Sequence, residues 1–325
     1  MTVVSPLGLP LLGAYAMAPA DPAEQRYFYA ALADLPLRGL EIPLPVDDAS
    51  DLWPGQSTGT FPVRWDLMVT CIPTVMGRLG AQAAYGLASR EEEARRTALA
   101  DVRRAADLAV RLAESSGRTR VVAIEVHSAP GPELGSADAL ARSLGEILTW
   151  DLAGADLLVE HCDAPRTGQA AAKGFLSFDE ELATLAAVRT EHAAGAPGPG
   201  GRVGMAVNWG RSAIEGRSAR TPVDHVTAAA HAGLLGAVVL SGATDADTAW
   251  GPAWGDAHIP PRGEDAALEP SSDSLLDAPA VREVFGAGGG TGLLAVKVSA
   301  RPKDADLAAR LAVARACLDL VAAAR

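Results

Sequence analysis

The feature that most constrains this chain is an alternation. Short runs rich in Val, Ile, Leu and Ala recur at Leu11–Met17, Gly39–Pro43, Asp66–Ile72, Val121–His127, Asp156–Cys162, Val203–Asn208, Gly236–Ser241 and Leu293–Ser299, with helical segments between them. Strands that alternate with helices build a parallel sheet. Eight such units predict an α/β fold, a single (β/α)8 TIM barrel over residues 1–325. A doubly wound open sheet is the alternative, but no Gly-rich fingerprint follows the first strand. The glycine-rich stretch Gly286–Gly292 precedes a strand instead of opening a helix, so it reads as a loop.

Several helix starts are explicit in the chemistry. Asp21-Pro22-Ala23-Glu24 supplies an N-cap, a first-turn proline and a capping-box glutamate. Ser89 with Glu92, Ser177 with Glu180, and Thr221-Pro222 with Asp224 repeat that logic. Over Glu91–Glu114 an apolar stripe of Leu99, Val102, Ala106, Ala109 and Ala113 predicts an amphipathic helix, and Asp304–Ala323 carries a similar stripe. Loop signals mark Ala129–Ser136, Gly195–Gly201 and the long Thr244–Asp273. A loop of that length is usually functional.

Charge and cysteine content exclude several roles. The net charge of −12 argues against nonspecific binding of nucleic acid, which rests on Lys and Arg at phosphates, and against an anionic membrane surface. No apolar run is long enough to span a bilayer, and the apolar stretch Leu7–Pro19 has no basic residue ahead of it, so it reads as a buried strand rather than a secretory signal. Three widely spaced cysteines, Cys71, Cys162 and Cys317, fit a reducing, cytoplasmic setting. Only three of the 28 cations are lysines: Lys173, Lys297 and Lys303.

In a TIM barrel the C-terminal strand ends face the active site. Strand two carries Glu41 there. Strand four carries Glu125 and His127 on one face, as acid/base partners, metal ligands or a structural ion pair. Strand five ends Glu160-His161-Cys162-Asp163, where a buried Glu160 needs a partner and Cys162 is a small apolar filler. Strand six ends at Asn208-Trp209-Gly210-Arg211; Arg211 and Arg217 could clamp a carboxylate, a phosphate or sugar hydroxyls, or pair with a nearby Glu. Asp256-Ala257-His258 could supply two ligands to one metal or a His oriented by a carboxylate. Trp53, Trp209, Trp250 and Trp254 follow strands and suit stacking on a sugar ring, whereas His192, His225 and His231 read as surface or packing residues. Lys297 lies between valines and must find an anion or lose its proton. It reads as an electrostatic clamp, a Schiff-base amine, or a salt bridge to Glu125 or Glu160.

These strand ends resemble the xylose-isomerase-like barrel superfamily, which includes sugar isomerases, sugar-phosphate epimerases and endonuclease IV. GLEIP is similar to its second strand, VVAIEVHSAP to its fourth, LLVEHCD to its fifth and VNWGRSAIEGR to its sixth. More narrowly, NWGRSAIEGR with DAHIP and VKVS resembles a bacterial family known only as a domain of unknown function. The resemblance implies one divalent metal held by Glu, Asp, His and Glu from strands five to eight. Here Glu160 matches the first ligand, but Asn208 stands at the Asp, strand seven, Val238-Val239-Leu240-Ser241, has no His, and Lys297 stands at or near the last Glu; Arg211 stands where a metal-site or substrate-binding His is expected. A Mn, Zn or Mg site relocated to Glu160, Asp256 and His258 is one expectation; an ammonium at Lys297 in place of the metal is the other.

The leading expectation is an enzyme acting on a sugar or sugar derivative by proton transfer next to a carbonyl. Glu125, His127, Glu160 and Lys297 would be catalytic, and Glu41, His161, Asn208, Trp209, Arg211, Trp250 and Trp254 would bind substrate. A Schiff-base aldolase or lyase using Lys297 and a non-catalytic sugar-binding barrel are the alternatives. The expected partner is a small carbohydrate, with a homo-oligomer left open.

Overall fold

A computed structural model describes residues 8–44, 61–194, 201–290 and 292–325. Eight parallel strands close into a barrel in chain order: β1 (Leu11–Leu12), β2 (Gly39–Pro43), β3 (Asp66–Thr70), β4 (Val121–Val126), β5 (Asp156–His161), β6 (Val203–Asn208), β7 (Leu235–Leu240) and β8 (Leu293–Val296), with β1 paired to β8. Closure decides between the two topologies that the alternation allows. The helices around it are α1 (Pro22–Ala31), α2 (Ile72–Ala81), α3 (Glu92–Ser116), α4 (Ala137–Ile147), α5 (Phe178–Ala194), α6 (Trp209–Gly216), α7 (Thr221–His231), α8 (Ala278–Gly288) and α9 (Leu307–Ala323). The predicted loop at 195–201 falls mostly outside the described residues.

Two apolar layers result from the strand alternation. Outward-facing residues pack under the helices, as Leu40, Val69, Ile124, Val159, Val207 and Leu240 do. Inward-facing Leu11, Met68, Ala123, Leu158, Ala206, Ala237, Val239 and Ala295 fill the barrel floor. Barrel interiors are packed cores, not pores. Alanines in four of these positions leave space above the floor for long polar side chains.

Local chemistry sets the ends. Asp21 caps α1 by accepting from the Ala23 and Glu24 amides, and the Ser177–Glu180 capping box forms as expected. For α7 the side-chain cap is absent: Arg220 is the N-cap residue and makes no side-chain cap bond. Asp306, not Asp304, caps α9. The glycine-rich stretch divides: residues 286–288 are the last of α8, and the loop begins at Gly289, in the left-handed conformation (φ 59°).

Two expected elements differ. Strand one stops at Leu12, and Ala14–Met17 form a 3-10 turn. A Cβ on Gly13 would sit 2.8 Å from Glu41 Oε2 and 2.9 Å from Lys297 Cγ, so the chain passes these side chains closely only as glycine. The long loop after β7 is not structureless. It contains a 3-10 turn at Ala266–Ser271, a bridge between Gly242 and Ile259, and a Trp254 N–H···O=C Thr244 bond of 2.7 Å. Among the described residues, no helix is long and apolar enough to cross a membrane.

Candidate functional site

Two residues above each floor position the alternation places another inward side chain. These are Thr70, Glu125, Glu160, Asn208, Ser241 and Lys297, with His127 a further two residues beyond Glu125 and Glu41 two residues above Gly39 on β2; all are at most 1% exposed. The structure thus gathers Glu41, Glu125, His127, Glu160, Asn208 and Lys297 at the C-terminal end of the barrel. Thr70 and Ser241 join them, and strand parity alone would have found both. Tyr15, on the turn after β1, places its hydroxyl 3.4 Å from Glu41 Oε1. No sequence signal marks it, because its position depends on β1 ending early.

Glu160 is the centre of the cluster. Its Oε2 accepts from His127 Nε2 at 2.9 Å and lies 2.7 Å from Arg211 Nη1. Its Oε1 accepts from Asn208 Nδ2 at 2.9 Å and lies 3.8 Å from Lys297 Nζ. Asn208 is also the N-cap of α6, accepting from the Arg211 N–H, so the residue that contacts Glu160 starts the helix that delivers Arg211. Lys297 Nζ lies 2.6 Å from Glu41 Oε1, which makes Glu41 its nearest carboxylate rather than the expected Glu125 or Glu160.

Burial and charge separate the carboxyls. Burial alone would raise Glu160, but Arg211, Lys297 and His127 hold it well below the usual carboxylate range. Glu125 is pushed well above that range by burial and by the neighbouring Glu160 and Glu41, and neither of its oxygens has a hydrogen-bond partner. Glu41 is raised by burial in spite of Lys297. Burial would also lower Lys297, yet Glu160 and Glu41 hold its ammonium well above the ordinary lysine value. Burial lowers His127 to about 4. It is a neutral imidazole whose Nε2–H donates to Glu160 and whose Nδ1 has no partner.

Above this cluster lies the D-x-H triplet. Asp256 Oδ2 is 3.0 Å from Lys173 Nζ and 3.6 Å from Arg211 Nε. His258 Nδ1 is 2.9 Å from Ser241 Oγ and 3.5 Å from Asp256 Oδ1. Glu160, Asp256 and His258 do not form a group with ligand atoms within 4.8 Å of one another. The fit of a divalent cation to Glu160 is poor: its oxygens are engaged by His127, Arg211 and Asn208, and two of the surrounding groups are cations.

A second buried cluster lies outside the barrel. His161 follows Glu160 on β5 and so points outward, away from the interior where the expected substrate-binding role would place it. Its Nδ1 is 2.6 Å from Glu181 Oε2 and its Nε2 is 2.9 Å from Glu215 Oε2. Burial opposes its charge, but the two glutamates raise it to about 9. Ser128 donates to Glu181, and Arg166 pairs with Glu215 at 2.8 Å. His225 stacks on Phe178 at 3.9 Å and bonds Ser212 Oγ at 3.0 Å, as a packing residue does. Even so, His161, Glu215 and His225 bring ligand atoms within 4.8 Å, so this buried trio is able to chelate a metal. Sequence reasoning missed it because its members come from three elements on the outer face.

The tryptophans divide. Trp209 is buried in the outer core. Trp250 donates to Pro270 O at 2.6 Å and lies under Arg301, away from the carboxylates. Trp254 is partly exposed and carries the Arg217 guanidinium 5.6 Å from its ring centre. Trp53 lies outside the described residues. A cleft of about 390 Å³ between the loops after β4 and β5 is lined by Leu79, Pro130, Pro132, Lys173 and Phe175; its link to the carboxylates is Lys173. Another of about 280 Å³, at Asp156, Arg202 and Gly236, opens at the opposite end of the barrel.

A family model described as a domain of unknown function, DUF4862, matches residues 11–313. The chain belongs to the DUF4862 family. An uncharacterized protein of Salmonella typhimurium, STM3670, is 36% identical to this DUF4862 chain over 263 residues, covering 77% of each. D-psicose 3-epimerase from Clostridium cellulolyticum H10, solved with D-tagatose, superposes with a TM-score of 0.58 at 16% identity, covering 97% of this chain and 98% of its own. A xylose isomerase domain protein from Alicyclobacillus acidocaldarius gives 0.55 at 17% identity, covering 97% and 99%. The DUF4862 fold is therefore a xylose-isomerase-like (β/α)8 barrel.

Proposed function

We propose that this protein is an isomerase or epimerase of a sugar or sugar derivative, working by proton transfer next to a carbonyl. The observation that carries the reading is one of placement. An imidazole with a free Nδ1, a carboxyl with no hydrogen-bond partner and an ammonium are buried together at the C-terminal end of the barrel: His127, Glu125 and Lys297. Glu160 holds the Nε2–H of His127 and so leaves Nδ1 as the base. The proton on the carbon beside the carbonyl passes to Nδ1, and the carbonyl oxygen becomes an enediolate oxygen. Lys297 stabilises that oxygen, as a fixed charge in a water-excluded site does. For an epimer, Glu125 returns a proton to the same carbon from the opposite face, and exchange with water then restores both groups. For an isomer, the His127 imidazolium returns its proton to the former carbonyl carbon, while Glu125 gives a proton to the oxygen on that carbon and takes one from the neighbouring hydroxyl, whose oxygen becomes the new carbonyl. The similarity to a sugar epimerase fold supports the substrate class.

Solvent deuterium tests this. Incubation in D₂O with a panel of ketoses, aldoses and their derivatives should place deuterium beside the carbonyl of responsive sugars, read by NMR. His127→Asn and Lys297→Met should each cut the exchange by about a hundredfold or more. Unchanged exchange in both variants would end the proposal. The aldolase reading needs a neutral amine, whereas Glu41 and Glu160 hold Lys297 charged; borohydride trapping that labels Lys297 would reinstate it.

The second reading concerns a metal. His161, Glu215 and His225 offer the nitrogen and oxygen donors that zinc takes. Both nitrogens of His161 are already bonded, so coordination there requires loss of its proton and of one glutamate contact. About one equivalent of Zn, Mn or Mg in protein purified without chelator, lost on His225→Ala, supports it; no bound metal refutes it. The three cysteines are free and buried, which agrees with a reducing, cytoplasmic location.

A further inference from the structure

Arg217 is an unmatched cation at this end of the barrel. The cations nearest the site are paired: Lys297 with Glu41, Arg211 with Glu160, Lys173 with Asp256 and Arg166 with Glu215. Arg217 has no carboxylate partner among the described residues. Its Nη2 donates to Ala170 O at 3.0 Å, its face lies over Trp254, and its Nη1 is buried with no hydrogen-bond partner. A guanidinium nitrogen in that state is costly unless something completes it.

Two further observations give the position meaning. Arg217 is the C-cap of α6 with φ 48°, and Trp254 has φ 61°. Residues other than glycine are held in this region at a cost that tends to gather at functional sites. Arg217 also spans the same seam as the Lys173–Asp256 pair: Ala170 and Lys173 belong to the loop after β5, and Trp254 and Asp256 to the loop after β7. That seam is partly exposed, and Asp256 connects it through Arg211 to Glu160.

We infer that Arg217, with the face of Trp254, forms an outer subsite for an oxyanion carried by the substrate at the end remote from its carbonyl. This rests on the sugar reading above and narrows it to sugars bearing a phosphate or a carboxylate. A guanidinium presents N–H pairs to the oxygens of either group, and the ring beside it suits the apolar face of a sugar.

Isothermal titration of the full chain with D-fructose, D-fructose 6-phosphate and D-fructuronate tests the subsite and distinguishes the two anions. At least one anionic probe should bind about tenfold or more tighter than fructose. Arg217→Gln should bring its affinity down to that of the neutral sugar, and Arg217→Lys should retain part of the difference. In the unaltered protein the preference should shrink as NaCl is raised from about 50 to about 500 mM, a measurement that does not depend on a variant folding. Equal binding of neutral and anionic sugars, no binding by either anion, or a preference that survives Arg217→Gln overturns the inference. In the first and last cases deuterium exchange on neutral sugars can still stand. Arg217-dependent binding of an anion with no exchange into any sugar would instead keep the subsite and defeat the proposed reaction.

Discussion

Replacement of Glu160 by Gln tests whether the centre of the barrel is held by charge. The exchange conserves volume and leaves an amide where a carboxylate met Arg211 at 2.7 Å, His127 and Asn208 at 2.9 Å and Lys297 at 3.8 Å. Arg211 is 1% exposed and Lys297 fully buried, so neither guanidinium nor ammonium recovers water. Removal of one partner from a buried pair costs about 3–5 kcal/mol. Asp256, 3.6 Å from Arg211 Nε, and Glu41, 2.6 Å from Lys297, soften the loss, which places the expected value near the lower bound, about 3 kcal/mol. The double variant Glu160→Gln/Arg211→Met removes both charges at similar volume and should recover about 2 kcal/mol of that, because matched neutral replacements are often close to neutral in stability. Urea unfolding followed by tryptophan fluorescence measures all four corners of the cycle. If Glu160→Gln costs less than about 1 kcal/mol, or the two changes simply add, Glu160 is not the counter-ion of Arg211 in the folded protein and the cluster is not held by their charges.

Three other outcomes are expected. Gly13→Ala places a Cβ 2.8 Å from Glu41 Oε2 and 2.9 Å from Lys297 Cγ; overpacking of this kind costs about 1–3 kcal/mol, readable in the same urea assay, and no loss would show that the pair is not closely confined. His127 titrates near 6.5 when unfolded and near 4 when folded because it is buried. The unfolded chain therefore binds the extra proton, so stability present above pH 6.5 is lost as pH falls towards 4, by up to about 3 kcal/mol; His127→Asn should flatten the slope in that window, and an unchanged slope rejects the assignment. Lys173→Met removes the 3.0 Å contact to Asp256 across the seam; hydrogen exchange of the loops after β5 and β7 should quicken together, and quickening confined to one loop would show that the pair does not join them.

The barrel is legible because its signal is repetitive. A strand that buries both faces shows as an apolar run, and closure needs only enough such runs with helices between them. The inner site is legible for the same reason: Glu125, His127, Glu160, Asn208 and Lys297 interrupt apolar runs at their C-terminal ends. Position at a strand end misleads where strand parity is not applied with it. Glu160 faces in, so His161 must face out, although nearness to the strand end assigns both to the active site. Pairings are less visible still. That Lys297 meets Glu41 depends on β1 ending at Leu12 and on Gly13 leaving room, which no run of residues announces. The trio of His161, Glu215 and His225 comes from a strand and two separate helices, so nothing in the spacing brings a strand-end histidine together with a glutamate and a histidine that reads as a packing residue.

The charges explain why lysine and arginine stand where the fold's relatives are expected to hold metal ligands. Among the described residues the inner cluster pairs Lys297 and Arg211 with Glu41 and Glu160. Two cations meet two carboxylates, and burial together with the neighbouring Glu160 and Glu41 pushes Glu125 well above the usual carboxylate range. A divalent cation added there would leave an excess of two positive charges in a space closed to water, a state far more costly than the balanced one. Conversion of Lys297 and Arg211 to neutral residues would leave two bare carboxylates, which is the charge pattern that attracts such an ion. On the proposed reading, the protein's own ammonium and guanidinium would do the neutralising that a metal would do. The positive charge is held on side chains that their own carboxylates fix in place, and it does not depend on the supply of an ion.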